Sequence, residues 1–247
     1  MPIKTYIKTY EVIQDMRQTK NNHIYLVRNQ MDGQLYIIKE KKIDPQKHCQ
    51  IEGDLLKSVS HPGIVKAKEQ FEENRYVYLV MEYCRGLTLK EYIKTRKVSW
   101  NLLLSWAIEL CEALRYLHGC KPPIIHRDMK PENIMITPDK NIKLIDFDIS
   151  RTEDQKGEKS YGTKSFAAPE QFRGIFSKKS DVYNLGATLN WCMEHETEHA
   201  QSDLKTGTCQ MQMWHHLIQK MTAPDPKKRC SLRWAKGYLM FLLFWGI

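Results

Sequence analysis

Hydrophobic periodicity changes once along this 247-residue chain, near residue 83, and the change constrains the fold more than any other feature. Between Tyr10 and Tyr83, apolar and polar residues alternate in short runs: YEVIQ, HIYLVRN, QLYIIKE, IVKAKEQF and YVYLVMEY. Beyond it, apolar residues follow a helical period, most clearly over 100–118. We therefore expect an α+β fold, with a five-stranded antiparallel β sheet followed by a mainly α-helical part.

One helix is expected to interrupt the strands. Asp44 is a good N-cap and Pro45 suits the first helical position, while Ile51, Leu55 and Leu56 form an apolar face. The junction at 82–86 is short and contains one glycine, which indicates a hinge and not a linker between independent domains. We predict a single domain over 1–247, with an amino lobe of about 1–83 and a carboxyl lobe of about 84–247.

Composition limits the classes of partner and the compartment. The seven cysteines are scattered and never in a Cys-x-x-Cys spacing, which argues against disulfides and a zinc site. The amino terminus has no apolar signal region, so a cytoplasmic protein is expected. The formal net charge is +9, but the basic residues are dispersed, and nucleic acid is not an expected partner. The apolar terminus YLMFLLFWGI predicts a final core helix; the alternative is the start of a longer membrane anchor.

The segment at 124–136, IIHRDMKPENIMI, concentrates residues suited to phosphoryl transfer. Asp128 can accept a hydroxyl proton, Lys130 can neutralise phosphate charge, and Asn133 offers a hard oxygen to magnesium. Asp146 follows the apolar run NIKLI as a second magnesium ligand from a separate strand. Phosphoryl transfer from ATP requires these groups on one rigid platform.

This loop resembles the HRDLKPEN catalytic loop of eukaryotic-type serine/threonine protein kinases, in particular bacterial members, with Met129 in place of leucine. The resemblance covers nearly the whole chain and implies the bilobal kinase fold. By that resemblance, Lys39 holds the α- and β-phosphates and Glu52 is its ion-pair partner. Further positions matching the family in order and spacing are Ala168-Pro169-Glu170, Asp181, which anchors the catalytic loop, and Arg229, which pairs with Glu170.

The resemblance implies binding of ATP and Mg²⁺ and a protein substrate, with itself as one acceptor. It assigns catalytic roles to Asp128, Lys130, Lys39 and Glu52, and metal binding to Asn133 and Asp146. The implied nucleotide contacts are Ile24 and Ile37 above the adenine, Met135 below it, Met81 behind it, and the backbone from Glu82 to Cys84, together with Lys39. His126 is implied to be structural, and Thr163 to bridge Asp128 and Lys130.

Two departures from the family pattern bear on activity. The three glycines of the phosphate-covering loop are replaced by Arg17, Thr19 and Asn22. Asp148 stands where the family has glycine, in a turn that Asp can form because it tolerates positive φ. Only about forty residues separate Gly186 from Arg229, so the helices that dock substrate are expected to be trimmed.

Three alternatives qualify the assignment. Lys130, two residues after Asp128, favours serine and threonine over tyrosine as acceptors. Small-molecule kinases share the Asp, Asn and Asp chemistry but are not expected to carry the Glu170 and Arg229 pair. The rival from another class is a pseudokinase that works as an interaction module, which the lost glycines and Asp148 support. Phosphorylation between Thr152 and Tyr161, read by Arg127, is a further hypothesis of this sequence.

Overall fold

The structure is a computed structural model, and it describes residues 6–18, 22–43, 51–155, 162–200 and 209–245. The chain forms two compact units, Met1–Arg85 and Gly86–Ile247. The first contains one large β sheet and the second contains most of the helices. The α+β prediction and the kinase-like architecture are confirmed at this level.

The first unit is built on an antiparallel sheet with strand order β1-β2-β3-β4-β6-β5. Its elements are β1 (Tyr6–Ile7), β2 (Tyr10–Gln18), β3 (Asn22–Asn29), β4 (Leu35–Lys42), α1 (Ile51–Ser58), β5 (Ala67–Glu73) and β6 (Tyr76–Glu82). The five predicted strands are present, and the two-residue β1 adds an edge strand that the sequence did not predict. The predicted cap at Asp44 and Pro45 lies outside the described residues.

Strand register divides this sheet into two faces, because side chains alternate along a strand and directly paired residues share a face. One face forms the core cluster of Ile7, Tyr10, Tyr25, Val27, Ile38, Tyr78 and Val80. On the other face, Ile24 lies opposite Lys39, and Ile37 lies opposite Met81. The sheet thus separates the residues that stabilise the unit from the residues that the sequence assigned to nucleotide binding.

The second unit contains five helices among its described residues: α2 (Leu89–Thr95), α3 (Trp100–Gly119), α4 (Lys178–Ala200), α5 (Cys209–Met221) and α6 (Leu232–Trp245). Its short strands are β7 (Leu87–Thr88), β8 (Ile124–Ile125), β9 (Ile134–Ile136), β10 (Ile142–Leu144) and β11 (Arg151–Thr152). They form a β10-β9-β7 sheet and a β11-β8 pair. Single 3₁₀ turns occur at Pro131–Asn133, Pro169–Arg173 and Pro226–Lys228. The trimming of the substrate-docking helices stays a prediction.

The helix α3 is the central helix of this unit. Ser99 caps it by accepting a hydrogen bond from the Leu102 amide at 3.3 Å. Leu103, Leu110 and Leu117 are buried along the face that the helical period predicted. Nine residues of the helix are buried in all, so apolar packing more than intrinsic propensity stabilises it.

The last helix, α6, is apolar on two sides. Leu232, Ala235, Leu239 and Leu242 are buried, and α6 packs against α3. Trp234, Phe241 and Phe244 are instead exposed. The prediction of a core helix is therefore right for one face only. None of the helices in the described ranges combines the length and the apolar character needed to cross a bilayer.

Candidate active site

The hairpin of β9 and β10 brings two of the predicted polar residues to the same end of a small sheet. Ile134 pairs with Leu144, and the Ile145 amide donates to the Asn133 carbonyl at 3.1 Å. Asn133 immediately precedes β9, and Asp146 follows Ile145. The metal ligands proposed from the sequence therefore flank one strand pair, although twelve residues separate them along the chain.

Asp128 is the centre of a hydrogen-bonded cluster. Its Oδ2 accepts from Lys130 Nζ at 2.6 Å and from Asn133 Nδ2 at 2.9 Å. Its Oδ1 accepts from Thr163 Oγ1 at 3.1 Å, and Lys130 Nζ lies 3.0 Å from the same hydroxyl. The predicted bridge by Thr163 is confirmed. Three side chains thus fix the orientation of one partly buried carboxylate.

A buried aspartate on α4 holds the loop that carries Asp128. Asp181 is fully buried, and its two carboxylate oxygens accept from the amides of His126 at 2.9 Å and Arg127 at 2.8 Å. Arg127 has a φ of 71°, a conformation that costs a residue with a Cβ about 1–2 kcal/mol. The predicted anchoring role is confirmed, and the two bonds explain how the loop keeps this strained backbone.

His126 lies beneath Phe147, with the ring centroids 4.8 Å apart in an edge-to-face arrangement. Its side chain is buried, and burial holds its pKa below the usual value despite the nearby Asp181, Asp128 and Asp146 carboxylates. The imidazole is therefore neutral and packs as part of the core. This agrees with the structural role expected from the sequence.

The turn at Asp146-Phe147-Asp148 differs from the sequence expectation in one respect. The Asp148 amide donates to Asp146 Oδ1 at 3.3 Å, and the Ser150 amide donates to the Phe147 carbonyl at 3.1 Å. Asp148 is not among the described residues that have positive φ. The turn therefore forms without the left-handed backbone that was offered as the reason why Asp is tolerated there.

In the first unit, Lys39 and Glu52 form the predicted ion pair, with Nζ 3.0 Å from Oε1. Both side chains are almost fully buried, at 6% and 3% exposure. Lys41 Nζ lies 2.6 Å from the other carboxylate oxygen of Glu52. Lys41 was not predicted at this site, although its position two residues after Lys39 on a strand places it on the same face.

The remaining nucleotide contacts proposed from the sequence lie in both units. Ile24 and Ile37 are partly buried and Met81 is buried on the Lys39 face of the first sheet, while Met135 is partly buried in β9. Cys84 follows β6 and is partly buried. The Glu82 amide already donates to the Lys66 carbonyl at 3.0 Å, so that donor is not available to a base.

The hairpin of β2 and β3 carries the replaced glycine positions. Register shifts at 12–14 and 15–17 mark two β-bulges, and Arg17 lies exposed opposite Ile24. His23 Nε2 lies 2.7 Å from Asp15 Oδ2, and His23 Nδ1 lies 2.8 Å from the Tyr25 hydroxyl. Polar cross-strand contacts hold this hairpin. Thr19 lies outside the described residues.

The predicted pair of Glu170 and Arg229 is present and buried. The guanidinium contacts both carboxylate oxygens, at 2.7 and 2.8 Å, in a bidentate arrangement. Burial alone would raise the pKa of Glu170, but the hydrogen bonds from Arg229 and Ser180 outweigh it and hold the pKa below its usual value. The pair ties the end of the 162–173 segment to the turn before α6.

The phosphorylation hypothesis receives little geometric support. Arg127 is 2% exposed, and its guanidinium lies 4.3 Å from the centroid of the Phe176 ring. Thr152 is partly buried in β11. Ser160 and Tyr161 lie outside the described residues. A phosphate could meet Arg127 only after Phe176 moved, so the hypothesis stays a prediction that requires rearrangement.

Two other contacts were not predicted. His118 Nε2 lies 2.8 Å from Asp181 Oδ2, so the anchoring carboxylate has a third partner. Lys90 Nζ lies 2.6 Å from Glu132 Oε1, joining α2 to the catalytic loop. Both contacts join residues more than forty positions apart, and no local pattern in the sequence marks them.

The donor chemistry of this site fits magnesium. Within the described ranges, no group of three or more His, Cys, Asp or Glu side chains could hold a metal by itself. Magnesium commonly binds proteins through one or two carboxylates while phosphate and water oxygens complete its shell. Asn133 uses Nδ2 for both bonds to Asp128, so its side-chain carbonyl oxygen is the atom suited to a cation.

Comparisons with known proteins agree with this geometry. The model of the protein kinase domain matches residues 10–239. The chain is 33% identical over 195 residues to the serine/threonine-protein kinase Nek1 of Mus musculus, covering 74% of this chain and 16% of that protein. It is 32% identical over 195 residues to Nek3 of Oryza sativa subsp. japonica, covering 74% of this chain and 33% of that one. The chain is 31% identical over 213 residues to the mitogen-activated protein kinase kinase kinase 10 of Homo sapiens, covering 78% of this chain and 22% of that protein.

Proposed function

The chain belongs to the protein kinase family, and we propose that it transfers the γ-phosphoryl group of ATP to serine and threonine hydroxyls of a protein, itself included. It spans between 16% and 33% of the length of the three relatives described above. The observation that carries the proposal is the cluster around Asp128, because one carboxylate is oriented there by three side chains, one of which, Asn133, is a metal-ligand candidate.

Asp128 would orient the acceptor hydroxyl and accept its proton. Lys130 and Asn133 hold Oδ2, and Thr163 holds Oδ1, so the carboxylate needs little reorganisation when the acceptor arrives. The ammonium group of Lys130 would also neutralise charge on the phosphoryl group. Positioning and electrostatic stabilisation are the main contributions that a protein makes to this reaction.

Asn133 and Asp146 would hold magnesium. The bound ion would neutralise charge on the phosphate oxygens during transfer. The proposal rests on the hard oxygen donors of these two side chains and on the β9 and β10 hairpin that brings them to one end of the sheet. Asp148 adds a third carboxylate to the turn, and we expect it to raise the negative charge beside Asp146.

Lys39 would bind the α- and β-phosphates, and Glu52 would orient it. Lys39 is buried and 3.0 Å from Glu52, which keeps a charged amine in one place at the sheet face. By the resemblance, Ile24, Ile37 and Met81 on that face, and Met135 in β9, are the residues that we propose to contact the adenine. The Glu82 carbonyl and the backbone at Cys84 would provide its polar contacts, since the Glu82 amide is already bonded.

A single protein kinase domain over 1–247 is also part of the proposal, with an amino lobe of about 1–83 and a carboxyl lobe of about 84–247. The described cysteines are all free thiols, which fits the reducing cytoplasm where we expect this protein to work. Nucleic acid is not an expected partner.

A pseudokinase is the rival to this proposal, and it is less favoured because every charged catalytic position is retained. Binding of ATP with and without Mg²⁺, measured by calorimetry, is the first test. Magnesium-dependent binding with Kd in the tens to hundreds of micromolar, roughly −4.5 to −6.8 kcal/mol, is expected after loss of the glycine-rich loop. Absence of heat and of thermal stabilisation under both conditions would leave the pseudokinase as the function.

Phosphoryl transfer is the second test. The protein is incubated with labelled ATP, Mg²⁺ and peptide libraries that differ only in having serine, threonine or tyrosine at the central position. We expect label in the serine and threonine libraries. Asp128→Asn is the matched control, and it should lose transfer while it keeps ATP binding and folding. Equal labelling by the control, or label confined to tyrosine, would contradict the assignment.

A further inference from the structure

The segment that follows Gly162 lies beside the carboxylate of Asp128. Thr163 Oγ1 is 3.1 Å from Asp128 Oδ1, and the amides of Phe166 and Ala167 both donate to the Thr163 carbonyl at 2.8 Å. These bonds close a tight turn next to Asp128. Lys164 and Ser165 form the tip of the turn, and both are exposed.

The exposed charges of this segment are positive. Between residues 162 and 180 the single acidic residue is Glu170, which is buried in its bidentate pair with Arg229. Lys164 and Arg173 are exposed, and the structure gives neither of them an ion pair with any residue that it describes. The exposed charged residues of this segment, Lys164 and Arg173, are therefore both basic.

The catalytic loop has one further acid, and a lysine neutralises it. Glu132 lies four residues after Asp128, and its Oε1 is 2.6 Å from Lys90 Nζ. Glu132 is thus already paired, so it is a poor partner for a basic side chain of a substrate.

We propose that the preferred protein acceptor carries aspartate or glutamate within about three residues of the phosphorylated hydroxyl, and that Lys164 is the main residue that recognises it. This substrate class rests on the proposed kinase function. The Cα atoms of adjacent residues are about 3.8 Å apart, so Lys164 begins one residue from the group that touches Asp128. An extended peptide advances about 3.3 Å per residue, which brings its second or third neighbour within reach of a lysine side chain.

Two peptides that share a central serine and differ only in their flanks test the preference. One has glutamates and the other has lysines at the three positions on each side. We expect a higher kcat/KM for the acidic peptide, by about two- to fivefold for each exposed charge pair. Raising the ionic strength to about 1 M, where the screening length is about 3 Å, should reduce this ratio.

Charge reversal tests whether Lys164 is the residue that recognises the acidic flank. Lys164→Glu replaces attraction by repulsion and should lower the ratio of kcat/KM for the acidic peptide to kcat/KM for the basic peptide by about four- to twentyfold. Arg115→Glu is the matched control, because Arg115 is an exposed residue of α3. Its substitution by glutamate changes the net charge of the protein by the same amount as Lys164→Glu. A control that lowers the ratio as much as Lys164→Glu would show that only overall charge matters, and it would overturn the proposal.

Lys90 provides a second, independent test. Lys90→Met should release the Glu132 carboxylate and raise kcat/KM for the basic peptide, so the ratio falls. Adding Glu132→Gln in the same protein should restore the ratio to the wild-type value. If Lys90→Met leaves basic-peptide kinetics unchanged, the proposed neutralising role of this pair is wrong.

The same peptides with alanine in place of serine separate this proposal from the catalytic one. Fluorescence anisotropy of labelled peptides reports binding without transfer, so the comparison of Lys164→Glu with Arg115→Glu remains decisive in a protein that transfers no phosphate. Tighter binding of the acidic peptide, lost in Lys164→Glu alone, supports the inference. Equal or tighter binding of the basic peptide overturns it, whether or not the protein is an active kinase.

Discussion

Loss of the Arg229 guanidinium is expected to destabilise the second unit by about 3–5 kcal/mol, the range for a buried ion pair that loses one partner. All five N–H groups of Arg229 are used in the structure. Two donate to Glu170 and three donate to the carbonyls of Ala223, Lys179 and Pro224. Arg229→Met removes all five bonds and leaves the Glu170 carboxylate buried with Ser180 as its remaining side-chain donor.

The assay is urea unfolding followed by tryptophan fluorescence. All six tryptophans lie between residues 100 and 245, so the signal reports the second unit. Arg233→Met is the matched control, because Arg233 is exposed on α6 and should cost less than about 0.5 kcal/mol. Arg229→Met should lower the urea midpoint clearly, whereas the control should not move it.

A double mutant separates the pair from its surroundings. Glu170→Leu combined with Arg229→Met should cost less than the sum of the single changes, by about 1–3 kcal/mol, because no charge is then left buried alone. It should still cost stability, since three backbone carbonyls lose their donor. A destabilisation below about 1 kcal/mol for Arg229→Met, or strict additivity in the double mutant, would refute this account of the pair.

The pH dependence gives the same pair a third test. The pKa of Glu170 is lower in the folded protein than its ordinary value, so its contribution is complete above the unfolded pKa and is lost as the pH falls through the folded pKa. The unfolding free energy of the wild type should therefore fall more steeply below about pH 4.3 than that of Glu170→Gln. Parallel pH profiles for the two proteins would contradict this prediction.

Three further predictions concern the site. Asp128→Asn should reduce turnover by about 10² or more, the effect of losing a general base, with little change in ATP affinity measured by calorimetry. Arg17→Ala should weaken Mg-ATP binding if the exposed guanidinium contacts phosphate in place of the glycines. The comparison is a variant with glycine restored at the three loop positions. Unchanged ATP affinity of Arg17→Ala rules out that contact. The unfolding free energy of the wild type should fall below about pH 6.5, by at most about 1.4 kcal/mol per pH unit, because His126 gains a proton in the unfolded state but not when it is buried. His126→Leu should show a weaker dependence of the unfolding free energy on pH.

Much of the fold follows from local patterns. Alternating apolar residues predicted the five long strands, because a half-buried sheet exposes every second side chain. The helical period predicted α3 and its buried leucines for the corresponding reason. The edge strand β1 was missed, since two residues carry no detectable period. The exposed face of α6 was missed because a sequence that is apolar on all sides does not say which side is covered.

Part of the candidate site could likewise be predicted from the sequence, and part could not. The residues of the loop at 124–136 and Asp146 could be identified from their types, order and spacing, because phosphoryl transfer needs a carboxylate, a cation and hard oxygens close together. Their resemblance to a known loop added Thr163, Asp181, Glu170 and Arg229. Strand alternation places Lys41 on the same face as Lys39, but nothing in the local sequence indicated that Lys41 would pair with Glu52, or Lys90 with Glu132.

By itself, therefore, the sequence determined the five long strands, the helix α3 and the chemical groups of the candidate site. Only the tertiary structure decided how those groups are paired. The pairing depends on distances between residues that are far apart in the chain, as with His118 and Asp181 or Lys90 and Glu132. Those distances fix which charges are buried, which are neutralised and which remain exposed at Lys164, and it is this distribution of charge that determines the expected substrate.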